Sequence, residues 1–358
     1  MYDFTPLVQA IQNYLSAHFS PGVATAIEWT LVILIYLAFY AVLGLVLVYV
    51  ERRICAFFQL RLGPNRVGWQ GTFQTVADAI KLLLKEPVTV NKADKLLFNL
   101  APFIISLAAL MVLSVLPFAR GLQAFDINIG LLFIIAISSI GVVGILLAGW
   151  SSNNKYALIG AMRSGAQIVS YELSVGLSLI TMVLLTGTLQ LSGIIESQAN
   201  GWWIFKGHFP AIAAFFLYIT ASIAEINRGP FDLPEAESEL TAGFHTEYSG
   251  LKFAFFFLAE FVNMFTVAAI AATVFFGGWM PFHIGDWEAF NRIMDFIPPI
   301  IWFFIKVAAI IFLMMWFKWT FPRLRIDQLL HLEWKYLMPL NLMNLILMAI
   351  LVYLGWHF

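Results

Sequence analysis

Eight stretches of this chain are each long and apolar enough to cross a bilayer, and that fact limits its folding more than any other. A hydrocarbon core of about 30 Å takes about 20 apolar residues in helix, and the stretches at 27–50, 97–118, 129–150, 165–188, 211–227, 253–277, 300–318 and 337–356 approach that length. Charged side chains make up 11% of the chain against about 25% in a soluble domain, which excludes a water-soluble globule. The expected fold is all-α: a polytopic integral membrane protein with eight transmembrane helices plus interfacial amphipathic helices. No internal repeat or low-complexity linker divides it, so residues 1–358 read as a single transmembrane domain.

Orientation follows from the basic residues. The loops after spans 1, 3, 5 and 7 hold 16 of the 20 Lys and Arg residues, the opposite side holds Arg120, Lys206 and Arg292, and Lys306 lies inside span 7. The positive-inside rule turns the basic side toward the cytoplasm or matrix and leaves both termini on the other side. The N-terminus has no basic region or small-residue cleavage site and does not read as a signal peptide. Thr5 and Pro6 suit an N-cap and first turn, and Leu7, Val8, Ile11, Tyr14 and Leu15 share one face, which predicts a short helix on the membrane surface.

Several functions are excluded by what the chain lacks. A formal charge of −1 gives no electrostatic case for nucleic-acid binding. The single cysteine, Cys55, allows no internal disulfide and no four-thiolate cluster, and the six histidines are scattered without the spacing of a metal site. Neither GxGxxG nor GxxxxGK[ST] occurs, so no dinucleotide or nucleoside triphosphate site is visible.

The unusual residues collect in the two long inner loops, 51–96 and 228–252. The first begins ERRICAFFQLRLGPNRVGW and turns at Gly63-Pro64-Asn65. Over 70–86, Phe73, Val76, Ala77, Ile80, Leu83 and Leu84 fall on one helical face, with Gln74, Asp78, Lys81 and Lys85 opposite. Such a helix lies in the interface plane and can form the lip of a cavity. Arg52, Arg53, Arg61 and Arg66 are explained by topology alone as readily as by function, and an i,i+3 pair with Lys81 accounts for Asp78.

Three glutamates lie in otherwise apolar spans: Glu172 in span 4, Glu225 in span 5 and Glu260 in span 6. A charge at the bilayer centre costs about 2.5–3.5 kcal/mol on insertion scales, so each must be partnered, protonated or facing water. Any one alone is explained by an interhelical ion pair; three at similar depth near the inner ends of consecutive spans favour a proton path. Lys306 is explained by snorkelling toward the outer face. The second inner loop, NRGPFDLPEAESELTAGFHTEY, adds Asp232, Glu235, Glu237, Glu239 and Glu247. A helix over 234–241 brings Asp232, Glu235 and Glu239 near one side, where like charges titrate as a coupled set; a solvated acidic face is the plainer alternative.

The segments ERRICAFFQLRLGPNRVGWQGTFQTVADAIKLLLKEP, SYELS and AEINRGPFDLPEAESELTAGFHTEYSG resemble those of the NuoH-type family, the H subunits of the proton-pumping NADH:quinone oxidoreductase, respiratory complex I. The resemblance covers essentially the whole chain. It implies a membrane protein at the junction of the membrane and peripheral arms, forming the quinone entrance and tunnel and an acidic path that couples quinone reduction to proton translocation. By the same resemblance Arg52, Arg61, Asp78, Arg228 and Asp232 are quinone-tunnel residues, and Glu172, Glu225, Glu235, Glu237, Glu239, Glu247 and Glu260 belong to the proton path.

The resemblance also implies that quinone is a substrate and that flavin and iron–sulfur clusters sit in partner subunits, leaving no catalytic redox group or metal here. Partners are then the other subunits of a hetero-oligomer, peripheral and membrane-arm, within a bacterial inner membrane or, alternatively, a mitochondrial one. A membrane-anchoring subunit of a related hydrogenase or ferredoxin-linked ion-pumping complex is the alternative function. A stand-alone transporter would show paired broken helices or an inverted repeat.

Overall fold

The structure, a computed structural model, describes residues 3–199, 201–234, 237–283 and 287–356, with the backbone alone at 237 and 238. In chain order its helices are α1 (Thr5–His18), α2 (Pro21–Phe58), α3 (Gln74–Leu84), α4 (Lys95–Leu113), α5 (Gly130–Ser151), α6 (Lys155–Thr186), α7 (Leu191–Glu196), α8 (Trp203–Lys206), α9 (His208–Glu225), α10 (Glu237–Leu240), α11 (Gly250–Phe276), α12 (Glu288–Asp295), α13 (Pro299–Thr320), α14 (Ile326–Leu332) and α15 (Met338–Tyr353). A π turn, Glu333–Leu337, makes α14 and α15 one continuous segment. Among the described residues there is no β-strand. Among the described residues, eight segments are long and apolar enough to cross a membrane: α2, α4, α5, α6, α9, α11, α13 and α14–α15. They coincide with the eight stretches legible in the sequence.

Their ends differ from the apolar boundaries for local reasons. Span 1 runs on as helix through ERRICAFF, which has neither Gly nor Pro, so α2 reaches 38 residues or about 57 Å. Its inner end therefore stands clear of the hydrocarbon core. Span 2 stops at Leu113 rather than 118, because Pro117 disfavours helix at the residue before it, and the Gln123 side-chain amide donates to the Val115 carbonyl at 2.7 Å. Span 4 begins a full ten residues early, where the Asn154 side chain accepts from Tyr156 N at 2.9 Å.

Helix α1 forms, but Thr5 is not its N-cap. Thr5 lies inside the helix, and the Asp3 carboxylate accepts from both Thr5 N (2.9 Å) and Thr5 Oγ1 (2.6 Å), an anion being better placed than a hydroxyl at the positive end of a helix dipole. On the inner side the helix expected over 70–86 is confined to α3, because Gln70 sits at φ +51° within the turn Trp69–Gly71. The helix expected over 234–241 shortens to α10, and 235–236 lie outside the described residues.

In the bundle α4 packs on α5, α5 on α6 and α6 on α9, while α11 lies against α4, α13 and α2, and α15 against α6 and α9. Helices in lipid gain little from hydrophobic association, and small residues let them approach closely. A Cβ at Gly144 of α5 would meet Ile105 Cγ1 of α4 at 2.4 Å, and one at Gly160 of α6 would meet the Gly243 Cα at 2.8 Å. The second contact matters most, since it seats the turn Gly243–His245 of the second inner loop on α6. Replacing Gly160 by Val is expected to displace that turn and cost about 1–3 kcal/mol of overpacking, read as a lower thermal midpoint and yield of the assembled protein. Gly176→Ala, with nothing within 4 Å of its Cβ, should leave both unchanged.

Candidate functional site

Two cavities meet at one glutamate. The first, about 260 Å³, lies among α5, α6, α9 and α11 and is lined by Glu172, Glu225 and Glu260 with Tyr218, Asn263 and His245. The second, about 430 Å³, lies under the inner end of α2 and is lined by Glu51, Arg52, Arg61, Arg228, Glu260 and Lys318. Glu260 and Phe257 line both.

Each acid of the first cavity comes from a different helix, as its sequence position requires. On α6 the cavity face is Ile168, Glu172, Val175 and Leu179, spaced i, i+4, i+7, i+11. The Ser139 hydroxyl of α5 contacts Glu172 Oε1. Glu225 is the last residue of α9, close enough to Glu172 for their charges to interact. On the neighbouring face of α6 the Gln167 amide donates to the carbonyls of Ala224 (2.7 Å) and Phe231 (2.8 Å), fixing the end of α9.

The second cavity is dominated by a buried charge network. After α9 the chain turns at Asn227, φ +54°, and brings in Arg228, which is 5% exposed. Arg228 Nη1 lies 2.6 Å from Glu51 Oε2, its Nε 2.8 Å from Glu260 Oε1, and its guanidinium 4.2 Å from the Phe261 ring centroid. Lys318 of α13 reaches Glu51 Oε1 at 2.5 Å. Two cations and two carboxylates thus meet across α2, α11, α13 and the loop after α9, with each buried charge facing an opposite one.

At the cavity rim Arg52 pairs with Asp78 of α3 at 2.5 Å, with Lys81 further off at 4.0 Å. The pair with Arg52 replaces the expected i,i+3 pair as the main contact of Asp78 and ties α3 to α2. Burial pushes the Asp78 carboxyl up, but hydrogen bonding and charge from Arg52, helped by Gln74 and Lys81, outweigh it and hold it below the usual carboxylate value. The attachment is therefore complete at neutral pH and is lost as the pH falls through that lowered range.

Two of the loop acids, Glu239 and Glu247, have separate partners. Glu239 is exposed and bonded to Arg163 at 2.8 Å, which holds its carboxyl below the usual range, and Glu247 accepts from Asn154 Nδ2 at 2.6 Å. Neither lines either of these two cavities. Asp232 accepts the Arg323 guanidinium at its backbone oxygen. Glu235 and the side chain of Glu237 lie outside the described residues. Of the set expected on one side of a helix over 234–241, Glu239 faces Arg163 and Glu235 lies outside the described residues.

Three buried polar residues and the half-buried Lys318 carry more than their sequence context suggests. Glu51 stands at the head of a basic run, and its i,i+4 relation to buried Cys55 marks one inward helix face only once α2 is extended. Lys318 reads in sequence as a topology residue alone. Glu333, 1% exposed, accepts from Ser174 Oγ at 2.5 Å where α14 meets α15. Lys306 does not snorkel to water: its ammonium donates to the carbonyls of Phe276 (2.6 Å), Gly278 (2.8 Å) and Met280 (2.6 Å), closing the C-terminal end of α11.

The family profile described as NADH dehydrogenase matches residues 30–349. The NADH-quinone oxidoreductase H subunit of Bacteroides fragilis is 58% identical over 358 residues, the whole of both chains. Proteins of the same description from Brevibacillus brevis and Rickettsia felis are 47% and 50% identical, over 93% and 86% of this chain and 96% and 88% of their own.

The charge network predicts an asymmetric response to single substitutions. Glu51→Ala leaves Arg228 and Lys318 without their shared carboxylate, and about 3–5 kcal/mol of stability should be lost, measured as a fall in the thermal midpoint of the purified protein. Removing the exposed partner by Glu239→Ala should change it by less than about 1 kcal/mol.

Proposed function

The chain belongs to the NADH dehydrogenase family, as a multi-pass bacterial membrane subunit of the NADH-quinone oxidoreductase complex, and we propose that its larger cavity receives a quinone headgroup while its smaller one carries protons. The other subunits of that complex are its partners. On this reading the flavin and iron–sulfur centres that deliver electrons belong to peripheral subunits, and both termini lie on the outer side, opposite the basic loops.

The observation that carries the reading is the position of Glu260, which lines both cavities and pairs with Arg228. Reducing a quinone to a quinol takes two electrons and two protons, and negative charge develops on its oxygens before the protons arrive. Arg52, Arg61, Arg228 and Lys318 give the larger cavity the cationic donors that such oxygens need. Any pull on Arg228 by that charge weakens its hold on Glu260, and a carboxylate losing its cation in a low-dielectric site gains proton affinity. Glu225 and Glu172 are the next acids along the same cavity. Asp78 acts through Arg52, and Asp232 sits in the loop that presents Arg228. The apolar tail enters from lipid past α3, whose Ile80, Leu83 and Leu84 are exposed, because it loses little in exchanging lipid for an apolar passage.

Glu260→Gln and Glu225→Gln in the assembled complex are expected to lower quinone-linked NADH oxidation and proton pumping together, by about tenfold or more, measured in proteoliposomes. Normal rates with normal pumping would remove the acids from the path. Arg52→Ala should raise the quinone concentration needed for half-maximal rate more than it lowers the maximal rate; an unchanged requirement would place the quinone elsewhere.

A further inference from the structure

The turn Gly243–His245 is seated on α6 and α5, and Phe244 and His245 line the acid cavity. The His245 ring lies 4.9 Å from the Phe244 ring and 5.3 Å from that of Phe253, and it lines the same cavity as the three glutamates. Its Nδ1 is buried without a hydrogen-bond partner among the described residues. So is Oδ1 of Asn227, another residue of the cavity wall, whose Nδ2 donates to Ser164 at 3.2 Å. The hydroxyl of Thr266, on the α11 wall, is a third. Three orphaned polar atoms on the wall of a cavity of about 260 Å³ mark a space that water can enter and bridge.

Burial pushes the imidazole down to about 4, so at neutral pH the ring is uncharged, with one nitrogen a donor and the other an acceptor. The titratable groups lining the same cavity are Glu172 from α6, Tyr218 and Glu225 from α9 and Glu260 from α11, and α5 contributes the hydroxyl of Ser138. Two residues on along the loop, Glu247 is held by Asn154 of the α5–α6 connection, on the basic inner side.

We propose that His245 is the gateway residue through which protons from the inner aqueous side reach the acid cavity. The inference rests on the proton-path reading of that cavity. One ring nitrogen takes a proton from water on the loop side while the other gives its proton, directly or through a bridging water, to a cavity carboxylate. The water on the loop side gives up a proton delivered to it from the bulk, the carboxylate becomes a carboxylic acid, and the ring is neutral before and after; a flip of the ring then turns the protonated nitrogen toward the cavity and the bare one toward the loop side, ready for the next proton. No electron moves in this step.

The test uses the whole complex in proteoliposomes, with intact complex quantified for every variant. His245→Phe keeps an aromatic ring among Phe244 and Phe253 but cannot relay, and His245→Gln keeps polarity and approximate size. Both are expected to lower quinone-linked turnover and pumping about tenfold or more without changing the quinone KM, and added imidazole should restore much of the rate to His245→Ala. Normal turnover in His245→Phe overturns the relay and leaves a packing role; failure of His245→Gln to assemble, or a changed quinone KM with pumping intact, also overturns it. Glu225→Gln and Glu260→Gln are measured beside them. If these are impaired while His245→Phe is normal, the gateway lies elsewhere and the acid path stands; if these are also silent, the acid path itself falls.

Discussion

The structure turns on one buried guanidinium. Arg228 sits among apolar helices with almost no access to solvent, and an ion removed from water costs several kcal/mol unless it is met by opposite charge. Glu51 and Glu260 meet it, and Lys318 balances the pair, so the segments that carry them are pinned to one place. One of those partners, Glu260, lines both cavities. What stabilises the inner half of the bundle and what connects the cavities are therefore one set of atoms, and neither can be altered without the other.

That economy explains why Glu260 differs from the other membrane acids. Glu172 and Glu225 face each other's charge across a mostly apolar cavity, whereas Glu260 has a cation within hydrogen-bonding distance. Three acids in one cavity with unequal partners can hold different numbers of protons, which an evenly matched set of ion pairs cannot. On the proposed reading, the inequality supplies a direction: charge arriving at the larger cavity acts first on Arg228, then on Glu260, and only afterwards on the acids behind it.

The spans and the three membrane acids are legible in the sequence because both are matters of cost. Apolar length reports what lipid will accept, and a carboxyl in such a stretch is expensive enough to demand an explanation wherever it occurs. Helix ends are less legible, since ERRICAFF and 155–164 are good helix formers outside the hydrocarbon core and hydropathy does not measure helix. The places of the loop acids are not legible at all, because a four-residue helix has no pattern to read; their partners Arg163 and Asn154 come from α6 and the turn before it, brought close only by packing. Glu51 and His245 escape notice for related reasons, one hidden in a basic run and the other a lone histidine among aromatic residues.

A cavity lined by acids within lipid should collapse or flood unless its walls are held from behind, and α6 shows how this is done. Its face at 167, 171, 174 and 178 is bolted to neighbours: Gln167 to two carbonyls near the end of α9, Tyr171 to the Leu329 carbonyl at 2.9 Å, Ser174 to Glu333, and Ser178 to Asn341 at 2.7 Å. The adjoining face at 168, 172, 175 and 179 opens on the cavity. Interhelical hydrogen bonds in membranes contribute about 0.6 kcal/mol each on average, so a single one would not fix a helix of 32 residues, but a row of them along one face resists sliding and rotation together. With α6 held on that side, the other side can keep a polar space that apolar packing alone would close, and Glu172 stays opposite Glu225 and Glu260 rather than turning to the lipid.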